Sequence, residues 1–286
     1  MPSRWVCVVI LLFWTGFNGW FFYQDLLPRL LPGQPPSYTI DLVEEARTGR
    51  PAIDWTVFLD NERVFRAKTE VRNPAHDVFE LVAEFAPAST KELPSLHGIS
   101  IRRLVSLYRV NQTGDLLGLE VEVEGSPKFA EMLKILSTDF TLNIEGETRS
   151  GWLVPHLSFR LKDLVREKDL PPVRVPSGVY VLLPLHPVNR LQGIKPGQTW
   201  TLCWFDPLAD SLGAIQGKDP ELQSLLARVR PQLETFSWNR RQEVECLVID
   251  YKGDRIQATT RVAKDTGLVL SQEAVIDNQR WTMNRD

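Results

Sequence analysis

Cysteine is scarce in this chain. Three occur in 286 residues, Cys7, Cys203 and Cys246, and the first lies in an apolar N-terminal run. At most one disulfide can form in the rest, so a disulfide-stapled scaffold is excluded. No Cys-x-x-Cys pair offers zinc its usual spacing. Histidine is also sparse. His76, His97, His156 and His186 are dispersed, with no H-x-H or H-E-x-x-H pair. A zinc centre would have to be assembled in space, with His156, His186 and Cys203 as the conceivable set. The plainer reading places His156 and His186, each beside a proline, at strand ends or in loops. Positive charge shows no excess: 33 Lys and Arg stand against 36 Asp and Glu, a net charge of -3. That balance supplies no field for nucleic acid.

Catalytic signatures are missing too. No G-x-S-x-G elbow occurs. The stretch GAIQGKD at 213–219 has three residues between its glycines where a phosphate loop needs four. Asp219 follows its lysine where Ser or Thr would hold magnesium. Glu120, Glu122 and Glu124 share a strand face, but a regular solvated face gives no cause for a raised carboxyl pKa. Cys203 and Cys246 fall in strand-like runs and read as small buried hydrophobes. No catalytic residue, metal or cofactor is therefore assigned.

What is present begins at the N-terminus. Residues 5–23, WVCVVILLFWTGFNGWFFY, are nineteen residues without a charge. As a helix they would extend close to 30 Å, about one hydrocarbon core. Trp5, Trp20 and Tyr23 fit the two interfacial belts. No alanine precedes Ala46, so the small-residue exit of a cleaved signal is lacking. The expectation is a transmembrane anchor within 1–25. Arg4 before the run and Asp25 after it put the N-terminus in the cytoplasm and the bulk of the chain outside. Residues 26–37, LLPRLLPGQPPS, hold four prolines and read as an extended linker. The remainder, 38–286, is one extracytoplasmic β-rich domain, with 168–178 as its place for a subdomain break.

Within it the apolar period is two. In LLGLEVEVEG, Leu117, Leu119, Val121 and Val123 face one way and the three glutamates the other, a half-buried strand. Similar runs cover 53–59, 63–72, 78–86, 100–110, 139–147, 150–161, 178–183, 198–206, 236–250, 255–264, 267–276 and 280–285. Turns at Asp60-Asn61, Thr113-Gly114-Asp115, Lys252-Gly253-Asp254 and Thr266-Gly267 tolerate positive φ, as tight hairpins require. Two amphipathic helices are expected to interrupt the meander. Ser126 and Pro127 would open one, with Phe129, Met132, Leu133 and Leu136 on its apolar face. Asp219 and Pro220 would open the other, with Leu222, Leu225, Leu226 and Val229 inward and Pro231 as its stop. The fold class is α+β: a large antiparallel meander, half-open and barrel-like, carrying two helices behind an N-terminal transmembrane helix.

The candidate site lies at 184–204. Pro184 and Pro187 end a strand, His186, Asn189 and Arg190 ride on a connection, and Pro196-Gly197 turns into TWTLCWF. That strand is apolar on both faces, so Trp200 and Trp204 either fill a core or line an apolar cavity. Trp200, Trp204, His186 and Arg190 are the candidate ligand-binding residues.

The Pro196-Gly197-Gln198-x-Trp200 lead into a strand, followed by hairpins in which Asp265-Thr266-Gly267-Leu268-Val269-Leu270 runs to a closing strand, resembles the bacterial lipoprotein-carrier superfamily. These are the LolA/LolB-like half-open barrels, together with related envelope domains of unknown function. The resemblance is architectural and covers roughly 38–286. It implies a sheet wrapped round an apolar cavity for acyl chains, with helices as its lid. The expectation is a membrane-anchored module holding a hydrophobic or lipidic ligand. Its alternatives are an envelope interaction or assembly protein without a cavity, and an enzyme with a site around the 184–198 loop. The expected partners are the membrane and a lipid or envelope protein.

Overall fold

The structure, a computed structural model, describes residues 4–21, 42, 52–89, 95–96, 99–127, 139–175, 181–182, 189–206, 210, 213, 223–238, 242–254, 256–276 and 278–286. Helix α1 (Arg4–Phe21) precedes the strands β1 (Ile53–Leu59), β2 (Glu62–Ala75), β3 (Val78–Pro87), β4 (Ser95–Leu96), β5 (Ile99–Asn111), β6 (Leu116–Pro127), β7 (Phe140–Arg149), β8 (Trp152–Leu161) and β9 (Leu164–Asp169). There follow β10 (Val173–Arg174), β11 (Val181–Leu182), β12 (Thr199–Trp204), β13 (Gln223–Val229), β14 (Glu234–Trp238), β15 (Gln242–Lys252), β16 (Ile256–Ala263), β17 (Val269–Ile276) and β18 (Gln279–Arg285).

The pairings make one ladder. From one edge it runs β11, β12, β13, β15, β16, β17, β18, β1, β2, β3, β5, β6, β7, β8, β9. Three short strands extend a neighbour along the same edge: β14 continues β13, β4 continues β3, and β10 continues β9. Every pair is antiparallel except β11–β12. The two halves of the chain join where β18 lies against β1, Trp55 opposite Arg285.

The sheet is not closed, but it must curl. Laid flat, a ladder of this many strands at the usual spacing would be about 65 Å wide. Yet β10 on one edge and β11 on the other are separated in sequence only by residues 175–180, which span at most about 25 Å. Two further facts need the same curl. A single core cluster takes in Trp55, Tyr108, Ile144, Leu153, Trp200 and Val269 from strands far apart in the ladder. In addition, the Asp206 carboxylate, just past β12, acts on the Tyr108 phenol of β5 across the interior.

Strand edges explain themselves. β9 is exposed along its whole length and reads LVREKD, and Pro171-Pro172 interrupt it before β10. Charges and prolines on an edge strand discourage pairing with another chain.

One predicted helix of the domain is overturned, and the other loses its predicted cap. Gln223–Val229 is the strand β13, with Leu225, Ala227 and Val229 buried and Ser224, Leu226 and Arg228 exposed. Leu225 and Val229 fit a period of two as well as one of 3.6, and the exposed Leu226 rules out the helical face. The strand is needed because β12 requires a ladder partner, which it finds at Trp200↔Ala227 and Leu202↔Leu225. The proposed cap Ser126 is instead buried in β6 opposite Ser100, and Pro127 ends that strand. Met132 and its neighbours lie outside the described residues.

The N-terminal expectation also changes. α1 exists and is 18 residues long, about 27 Å. Thr15, Gly16, Asn18 and Gly19 dilute its second half, where Asn18 Nδ2 donates to the Trp14 carbonyl at 2.7 Å. Among the described residues no helix is long and apolar enough to cross a membrane. Its large side chains are nevertheless uncovered: Trp5, Phe13, Trp14, Phe17 and Trp20 are 64–80% exposed.

A break between β13 and β14 is held electrostatically. Residues 230–233 oppose only two residues of β15, so the strand bulges, and Pro231 sits where no donor is needed. Arg230 clamps the bulge by donating Nε and Nη2 to Asp250 at 2.7 and 2.8 Å, with its third nitrogen on Glu234. The guanidinium holds the Asp250 carboxyl below its ordinary pKa, chiefly through that hydrogen bond. Arg230→Ala should cost about 1 kcal/mol, since the groups are partly solvated. A carboxylate with a depressed folded pKa stabilises fully above its unfolded pKa, about 3.9, and loses that contribution as pH falls through the folded value. The gap in urea midpoint between wild type and variant should therefore narrow in strong acid. A gap that stays constant would contradict the clamp.

Candidate functional site

The connection at 189–194 is built onto the β16–β17 hairpin as a short extra strand. Leu191 N donates to Gly267 O at 2.8 Å and Val269 N to Asn189 O at 3.0 Å, so Arg190 and Leu268 form an antiparallel bridge. Asn189 is gripped from the other side by Arg285, whose Nη1 reaches its Oδ1 at 2.6 Å and its carbonyl at 3.2 Å. The same guanidinium lies 5.9 Å from the centre of the buried Trp55 ring. The segment therefore links the hairpin to the β1–β18 junction.

Between this segment and the hairpin lies a cleft of about 270 Å³. Leu191, Leu247 and Val262 belong to both its lining and the main core, and Gln192, Lys264 and Thr266 contribute polar groups. Lys264 is held by Glu245 at 3.1 Å. The cleft lies above buried core residues, but the surface it offers is mostly polar, suited to a small polar molecule.

The expected site residues do not converge there. Trp200 and Trp204 are 2% and 6% exposed and belong to the core cluster, away from the cleft's lining. Arg190 is half-buried, and its Nε is enclosed without a hydrogen-bond partner. His186 lies outside the described residues. Pro196-Gly197 does make the turn into β12, with Gly197 at φ 79°. Of the conceivable zinc set, His186 lies outside the described residues, and His156 is on an exposed face with Nδ1 2.8 Å from Asp169. No group of three candidate metal ligands occurs among the described residues.

One interior residue was missed. Tyr108 is fully buried, and its hydroxyl has no hydrogen-bond partner. Burial, with the Asp206 charge adding to it, drives its pKa well above the ordinary phenol range. The signal was available: in the run 100–110 the inward positions include Ser106 and Tyr108, polar groups in a face otherwise apolar.

The thiols are inert by environment. Burial pushes Cys246 up to about 11 and raises Cys203. Cys246 in the native protein should alkylate on the order of a hundredfold more slowly than in urea, following its thiolate fraction. Peptide-level mass spectrometry of iodoacetamide labelling measures this. Equal rates in both states would mean that the strand face over Cys246 is open.

Compared with family models and with curated proteins, the sequence finds no match.

Proposed function

We propose that this is a membrane-attached binding module in which α1 seats the chain on a bilayer and the curled sheet presents the working surface. The observation that carries the reading is the helix itself. Five large aromatic side chains stand exposed on α1, and Phe13, Trp14, Phe17 and Trp20 follow helical spacing along one side. Exposed apolar area of this kind needs a partner, and aromatic rings favour the membrane interface. Flotation of the full chain with phosphatidylcholine vesicles tests it. Wild type should float and Phe17→Glu should not; a wild type that stays at the bottom of the gradient ends the reading.

What the sheet binds divides into two readings. The buried Trp200 and Trp204 favour a protein that offers its outer surface to envelope partners. The resemblance to lipoprotein carriers favours a hydrophobic or lipidic ligand. An unclosed, curled antiparallel sheet supports that reading. Native mass spectrometry after gentle purification separates them: co-purifying lipid supports the carrier-like reading, and a bare protein mass supports the first.

A further inference from the structure

Tyr108 and Gln223 each place an enclosed oxygen in the curled interior that nothing in the chain satisfies. The Tyr108 ring is fully buried, and its hydroxyl has no hydrogen-bond partner. Gln223 Oε1 is enclosed and also without a partner. Strand alternation aims both inward. Tyr108 stands in register with Leu81 on β3 and Leu119 on β6, both buried. Gln223 opens β13 on the face of Leu225, Ala227 and Val229, opposite the buried Trp204.

The two belong to one end of the interior. Asp206, two residues beyond Trp204, lies close enough to Tyr108 for its carboxylate charge to be felt at the phenol. Gln223 stands beside Trp204, since register partners are about 5 Å apart at Cβ. Tyr108, Asp206 and Gln223 thus make a polar pole among core residues such as Leu119, Trp204 and Phe205.

An enclosed polar atom without a partner is costly, and native interiors keep few. Two at one end of the interior, beside a carboxylate, point to a partner from outside the chain. The pole is rich in acceptors. Gln223 Oε1 and the ionised Asp206 carboxylate accept only, while the Tyr108 hydroxyl accepts or donates. A head group that donates hydrogen bonds fits it, and an anionic head would meet Asp206 with like charge.

We propose that this pole holds the donor head, hydroxyl or ammonium, of a small amphiphile whose apolar body lies against the core residues around it. The inference rests on the hydrophobic-ligand reading of the sheet and names the head group which that reading leaves open. Among the described residues the edge strands β9 and β11 do not pair with each other, so the interior can be entered there without breaking the ladder.

The full chain in phosphatidylcholine vesicles is titrated with octylammonium, 1-octanol and octanoate, which share a chain and differ in head. Hydrogen exchange is followed at 106–110 and 223–227 in wild type, Tyr108→Phe and Gln223→Leu. Tyr108→Phe should fold at least as well as wild type, because the hydroxyl it removes has no partner in the chain. Circular dichroism checks both variants, and either folded one suffices. Protection by octylammonium or 1-octanol but not octanoate, with affinity about tenfold lower in the variants, supports the proposal. The amine alone protecting would assign a cationic head; both protecting would mean that a neutral hydroxyl suffices. Octanoate protecting as well as the others, or affinity unchanged in a folded variant, overturns the pole and leaves the hydrophobic-ligand reading intact. Protection by none of the three also overturns it, and the reading beneath it falls only if the native mass is bare as well.

Discussion

Alanine at Trp200 will cost about 3–5 kcal/mol, the range for deleting a large buried aromatic. The indole is 2% exposed and stands opposite Ala227, whose small side chain leaves it room. Leu202, two residues on, meets Leu225 in the same way. β12 thus contributes three consecutive inward residues, Trp200, Leu202 and Trp204, to the interior of the curl. A domain of this kind has about 5–15 kcal/mol in total, so the variant should lose a large share of it. Urea unfolding followed by circular dichroism gives the value. Trp152→Ala is the internal control: another tryptophan on a strand of the same sheet, but exposed, and expected to lose little. If the two variants were equally stable, Trp200 would be lining open space, and a ligand cavity beside it would become the better reading of β12.

The sheet was legible because its strands alternate. β6 shows why. Its inward Leu119, Val121 and Val123 are buried while Glu120, Glu122 and Glu124 stay half-exposed, so the period of two survives there; Leu117, expected inward, is exposed and Leu116 buried in its place, where a register shift in β5 breaks the alternation. Hairpin turns were legible through φ: Asp60, Asn61, Gly114 and Gly267 all take the positive values that their residue types tolerate. The failures have physical causes as well. β9 escaped notice because an edge strand exposed on both faces has no apolar period, and the two-residue β10 fell inside the stretch 168–178 marked for a break because it is too short to show one. β13 was read as a helix because Leu225, Leu226 and Val229 fit a helical stripe. Only the demand of β12 for a partner decides otherwise, and that demand is non-local. The site fared worse than the fold. Arg190 was noticed, but its bridge to Leu268 depends on a hairpin nearly eighty residues away, and local pattern carries no such information. Trp152, in the strand-like run 150–161, drew no separate notice. The turn Ser150-Gly151 beside it places it at a hairpin tip, but nothing local says that this tip faces solvent.

Valine at Gly267 should detach the 189–194 segment and cost about 2–3 kcal/mol, for two separable reasons. The first is backbone: Gly267 sits at φ 68°, where a β-branched residue is strained by about that amount. The second is contact. A Cβ at this position would lie 2.9 Å from the Leu191 carbonyl oxygen and 3.2 Å from Gln192 Cγ. The first of these is backbone, and it cannot swing aside without breaking the Leu191 N to Gly267 O bond. Losing that bond opens the Arg190–Leu268 bridge and slackens the Asn189 grip of Arg285, so the damage should reach the β1–β18 junction. Asparagine isolates the contact, because it tolerates positive φ, as Asn61 and Asn278 do here, but has the same Cβ. If asparagine and valine both destabilise, and hydrogen exchange rises at Leu191 and Val269 before the rest of the sheet, the close approach is the cause. If asparagine is neutral and only valine destabilises, strain at φ is the cause and the segment is held by other contacts. A neutral result for both would mean that the 189–194 strand does not rest on the hairpin, and the cleft between them would lose one of its walls.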